Sequence, residues 1–114
     1  MYFSRSQTDN IYTVAKTFGL SAVLARAGEE FAEATTAVLQ YKRAAVDNEG
    51  DLEQRRAALV DELADQAIMA EQLFDVIPNL REAVRDRANI KIHRTFQRYG
   101  IRNVVRWKDP AESD

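Results

Sequence analysis

Two long stretches with helical apolar spacing flank one turn signal, Asp47-Asn48-Glu49-Gly50, and this arrangement limits the possible folds more than any other feature. Before the turn, Leu24, Ala27, Phe31, Ala34, Val38 and Tyr41 recur at steps of three and four, the period of a helix with one buried face. After it, Leu59, Val60, Leu63, Ala64, Ala67, Ile68 and Phe74 form a second such stripe. Long helices joined by so short a connection must run antiparallel and touch. The spacing predicts helices from about Leu20 to Ala45 and from about Leu52 to Val76. Upstream, Asp9-Asn10 is expected to cap a short helix carrying Ile11, Tyr12, Val14, Ala15 and Phe18, which Gly19 breaks. Downstream, Pro78 ends one helix and suits the first turn of a fourth, which Gly100 caps after Leu80, Val84, Ala88, Ile92, Phe96 and Tyr99. The expectation is an all-α fold: an antiparallel helical bundle of about four helices. It comprises one domain over residues 1–100 and a tail over 101–114, in which Val104-Val105-Arg106-Trp107 is extended or packs on a neighbour.

A chain of 114 residues buries only about two-thirds of its unfolded surface when alone, so a subunit interface would complete the bundle. With 46% hydrophobic and 30% charged residues, the composition is that of an ordered globular protein. A net charge of -2 is too near neutral for bulk attraction to nucleic acid or to a membrane surface. No apolar run is long enough to span a bilayer, and none follows the amino terminus as in a signal peptide. Cysteine is absent, which removes disulfides, thiolate metal sites and cysteine nucleophiles. These features lead us to expect a cytoplasmic protein that binds neither nucleic acid nor membrane.

The turn also sets a register. Glu30 and Glu33 lie about as far before it as Asp65 and Glu62 lie after it. In an antiparallel pair Glu30 therefore faces Asp65, and Glu33 faces Glu62. Two unit charges about 5 Å apart repel by roughly 3 kcal/mol at an effective dielectric near 20, so four carboxylates at one level need relief. Basic neighbours are scarce: one turn beyond Glu30 and Glu33 lie Ala34 and Ala37, and beyond Glu62 and Asp65 lie Gln66 and Met69. Only Arg26 is placed to help. Oxygen ligands without His or Cys select a hard cation, magnesium or manganese. Magnesium keeps several waters and binds phosphates beside a few carboxylates, which points to phosphate chemistry.

The pattern Glu-Glu-x-x-Glu (Glu29, Glu30, Glu33), a helical span, then Glu-x-x-Asp (Glu62, Asp65) resembles the signature of MazG-like nucleoside triphosphate pyrophosphohydrolases. The likeness covers roughly residues 19–98. It implies hydrolysis of a nucleoside triphosphate between the α and β phosphates, releasing a monophosphate and pyrophosphate. It further implies magnesium held by Glu30, Glu33, Glu62 and Asp65, with Glu29 as an outer acid or an orienter of water. It also implies a homodimer or homotetramer. Relatives of this kind carry basic residues on the helix where Arg87, Lys91, Arg94 and Arg98 form a stripe here, and Lys91 and Arg94 correspond to phosphate contacts. They often have Asn one turn past the lysine, where this chain has Thr95.

Other residues carry less. His93 sits alone in a basic helix and reads as a surface or packing residue. Tyr12, Phe18, Tyr41 and Trp107 could stack on a base, but aromatics at helical spacing are usually core. Two further readings stand beside the enzyme. One is a non-enzymatic helical interaction or assembly protein whose acids keep one face soluble; the other is a nucleotide-binding regulator without turnover.

Overall fold

The computed structural model describes residues 2–102, so the expectation for Val104–Trp107 lies outside the described residues. Those residues are helical: α1 (Arg5–Val46), α2 (Leu52–Val76) and α3 (Leu80–Tyr99). None of these helices is long and apolar enough to cross a membrane. The chain divides into two compact units, with α1 and α2 in the first and α3 in the second.

Three helices are counted where about four were expected, because two helical segments before the turn run together as α1 across a kink at Gly19. Gly19 has non-helical backbone angles inside it, φ 82° and ψ 174°, a region essentially reserved for glycine. The helix also begins earlier than Asp9-Asn10. The Ser4 hydroxyl accepts from the Gln7 backbone N–H at 3.1 Å, and the Gln7 side chain accepts from the Ser4 backbone N–H at 2.8 Å. This reciprocal box satisfies two otherwise orphaned donors and fixes the start.

Contacts with α2 show how Gly19 matters. Tyr12 donates to Glu71 and Lys16 to Asp75, so both helices advance together here and the first part of α1 runs parallel to the end of α2. Past Gly19 the order reverses. Arg55 donates to Gln40 at 3.0 Å, in the same register as Glu30 with Asp65. Three helical segments thus lie side by side within the first unit. Where they meet, Ala15, Val23, Ala27 and Met69 form the buried cluster, flanked by Leu73 and Val76.

The turn matches its sequence. Asn48 (φ 57°) and Gly50 (φ 105°) take positive φ, and the Arg43 carbonyl accepts from the N–H groups of Asp47 and Glu49. Asp51 then caps α2 by accepting from the Gln54 N–H at 3.2 Å. α3 starts after Asn79 and ends at Gly100 (φ 62°), where the Ile101 N–H reaches the Phe96 carbonyl at 2.9 Å.

Candidate metal centre

Val23, Ala27, Glu30, Ala34, Ala37, Tyr41 and Ala44 follow one another on α1 at alternating steps of four and three, and are buried or half-buried. On α2 the matching seam is Glu62, Asp65, Met69, Gln72 and Val76, with the same alternation. Such positions normally hold apolar knobs, and a polar residue there lowers stability. Four of these seam positions, Glu30, Glu62, Asp65 and Gln72, are polar. The acids do not merely border the apolar stripe; they replace part of it.

Glu30, Glu62 and Asp65 each bring one carboxylate oxygen to within 4.8 Å of the others, and all three are half-buried. Glu33 is exposed and stands outside that trio, yet its carboxylate is close enough to act on both Glu30 and Glu62. The pairs follow the register expected from the turn, Glu30 with Asp65 and Glu33 with Glu62. Glu29 is exposed and outside the trio. Among the described residues no lysine or arginine forms an ion pair with these acids; the Lys16–Asp75 and Lys42–Asp47 pairs lie elsewhere.

The electrostatics record this crowding. Partial burial, then the charges of Glu33 and Asp65, push the Glu30 carboxyl above its ordinary range, against a smaller downward pull from Arg26. Burial also leads for Glu62, followed by Glu33 and Asp65, and its carboxyl is likewise raised. Oε2 of Glu30 and Oε2 of Glu62 are buried without a hydrogen-bond partner. Buried acceptors of this kind are normally satisfied. Either a proton shared between facing carboxyls or a cation would satisfy them, and the all-oxygen donor set suits a hard divalent ion.

A cleft of about 330 Å³ adjoins the trio and includes Glu30 and Asp65 in its lining, together with Arg26, Asn10 and Gln72. Asn10 and Gln72 were not singled out from the sequence. Gln72 had a signal there: it follows Asp65 by seven residues, on the same stripe. Asn10 was read only as a cap. Tyr12 is engaged by Glu71 and lies under the Lys16 ammonium, 5.5 Å from the ring centre. Phe18 is exposed. In the second unit, Lys91 and Arg94 are exposed on α3 and line one depression with Thr95, Gln97 and Arg98.

No family model, no curated protein and no solved structure matches this chain.

Proposed function

We propose that the protein is a magnesium-dependent nucleoside triphosphate pyrophosphohydrolase of the MazG-like kind, which removes or adjusts nucleotides by converting a triphosphate to a monophosphate and pyrophosphate. The observation that carries this reading is the trio Glu30, Glu62 and Asp65, set into a helix seam with Oε2 of Glu30 and Oε2 of Glu62 buried and unpartnered. Hydrophobic side chains at those positions would pack better, so the acids need another reason to be there. Their donor chemistry fits magnesium, with manganese as a substitute.

Glu30, Glu62 and Asp65 hold the ion, and Glu33 completes the acidic face beside Glu62. When bound, the ion neutralises polyphosphate charge and acidifies water. The attacking water adds its oxygen to the α-phosphorus while the bridging bond to the β-phosphate breaks and pyrophosphate departs. Glu29, the exposed acid next to Glu30 in the chain, is an outer acid or orients this water, and a nearby carboxylate receives the proton. Lys91 and Arg94, exposed on α3 in the second unit, have side chains of the kind that bind phosphate oxygens.

The assembly is a homodimer or homotetramer. Leu20, Leu24, Val38, Leu39, Val60 and Leu63 are large apolar side chains left exposed on the first unit, and a second copy would cover them. The same exposure supports the alternative of a helical assembly protein without activity.

Pyrophosphate release from a panel of ribo- and deoxyribonucleoside triphosphates, with magnesium and with EDTA, tests the proposal. Magnesium-dependent release from at least one substrate is expected. A panel without turnover, from protein shown to be folded, would leave the assembly reading in place.

A further inference from the structure

We infer that α3 is a docking helix for single-stranded nucleic acid: Arg87, Lys91, Arg94 and Arg98 track the phosphate backbone, and Tyr99 stacks on a base. This surface lies in the second unit and does not rest on the nucleotide reading above.

The net charge of -2 hides a separation along the chain. Residues 79–102 carry seven lysines and arginines against two acids, whereas residues 1–78 carry seven against thirteen. Six of the seven cations in the basic segment lie on α3. Arg87, Lys91, Arg94 and Arg98 follow one another at steps of four, three and four, which places them on one face. All four are exposed, and none forms an ion pair with a described residue. The acids of the helix, Glu82 and Asp86, meet Arg85, Asn89 and Ile90 one turn on, not the stripe. Like charges on one face repel, and a chain of phosphates relieves that repulsion while releasing its own counterions.

The length of the stripe and its neighbours select the partner. From Arg87 to Arg98 it runs about 16 Å at about 1.5 Å per residue, a length suited to consecutive phosphates of a strand rather than to one triphosphate. Three of its four cations are arginines, whose planar fork pairs with phosphate oxygens through two hydrogen bonds. Thr95 and Gln97 line one depression with Lys91, Arg94 and Arg98 and add uncharged hydrogen-bonding groups. Tyr99, next to Arg98, is 69 % exposed, so its ring is not used in packing. An exposed aromatic at the end of a basic track suits stacking on an unpaired base, whose face a duplex would hide. A membrane surface fits less well. An interfacial helix buries large apolar side chains, and beside this stripe stand Val84, Ala88 and Ile92.

Fluorescence anisotropy of a labelled oligothymidylate of about 12 nucleotides, over about 50–200 mM salt, tests this. EDTA is present so that no metal bridges the phosphates to the carboxylates. Affinity should fall with salt along a log–log slope near about -3, about 0.7 for each of four phosphate contacts. Arg87→Gln combined with Arg98→Gln, both at exposed positions, should roughly halve that slope and weaken low-salt binding about tenfold or more. Tyr99→Ala should weaken binding about fivefold or more and leave the slope unchanged. No binding at about 50 mM salt overturns the inference, as does either variant matching the wild type. Equal affinity for a duplex of the same length, or equal displacement by a nucleoside triphosphate at the same concentration, also overturns it. Binding to phosphatidylserine vesicles in place of the oligonucleotide would give the helix to a membrane. Loss of self-association, rather than of oligonucleotide affinity, in the double variant would give it to a second copy.

Discussion

The seam between α1 and α2 is built in two ways. Toward the turn it is closed by small residues, with Ala34, Ala37 and Ala44 buried on α1 and the Gln40–Arg55 hydrogen bond at its edge. Farther from the turn the same seam is occupied by Glu30, Glu62 and Asp65, and then by Gln72. One helix pair and one register thus carry two opposite energetic arrangements. Alanines let the helices approach closely and bury area without polar penalty. Carboxylates at equivalent positions repel one another and leave oxygens unsatisfied. The small-residue end holds the hairpin together, while the acidic end draws on that stability for something other than folding.

The largest expected effect separates the two ends directly. Glu62→Gln should lower magnesium-dependent pyrophosphate release by about 100-fold or more through lost metal affinity, while its metal-free melting temperature should rise as repulsion is relieved. A fall in both would show that Glu62 serves the fold instead. At the other end, Ala34→Leu should overpack the seam and destabilise by about 1–3 kcal/mol, read as a shift in the urea midpoint. Its magnesium response should survive wherever the variant remains folded. An unchanged midpoint would mean the helices are not closely packed there.

Gly19→Ala probes the reversal that brings Ile11 and Val14 to the acidic end. With φ at 82° and ψ at 174°, alanine should cost about 1–3 kcal/mol in chemical denaturation. Open space around the added methyl group makes this a backbone effect. Ser4→Ala, which removes the cap of the same helix, should cost about 1 kcal/mol.

The smallest expected effect is a pH dependence, and its sign distinguishes the ends again. The Glu30 and Glu62 carboxyls are raised above the ordinary value of 4.5 in the folded chain. The native state therefore binds more protons than the unfolded state between those values, and stability declines as pH rises through the raised ones. Metal-free melting temperature should fall as pH rises above the ordinary carboxylate range, relative to a Glu30→Gln, Glu62→Gln variant. Magnesium should remove that difference at the higher pH. A parallel course for the two proteins would place the carboxyls in free solvent.

The sequence carried the hairpin and its register clearly, because a turn such as Asp47–Gly50 between two periodic stretches leaves little choice of pairing. Glu30 opposite Asp65 followed from counting. The start of α1 was misread: Asp9-Asn10 looked like a cap, but Ser4 with Gln7 supplies the stronger, reciprocal one. The path of the chain after Gly19 was also hidden. A glycine marks a break without stating its angle, and the parallel Tyr12–Glu71 and Lys16–Asp75 contacts are long-range. The cleft depends on that path, so Asn10 and Gln72 could not be joined to the acids from spacing alone. Glu33 was expected as an equal member of the cluster; it faces Glu62 but stays exposed.

The central claim is that the acidic part of the seam is a seat for a hard divalent cation. Thermal melts of the wild type and of Asp65→Asn, each with EDTA and with saturating magnesium or manganese, test it most directly. A native-state ligand raises the melting temperature by mass action. We expect a clear rise for the wild type and none for Asp65→Asn. Identical melts of the wild type with and without the ions would contradict the account.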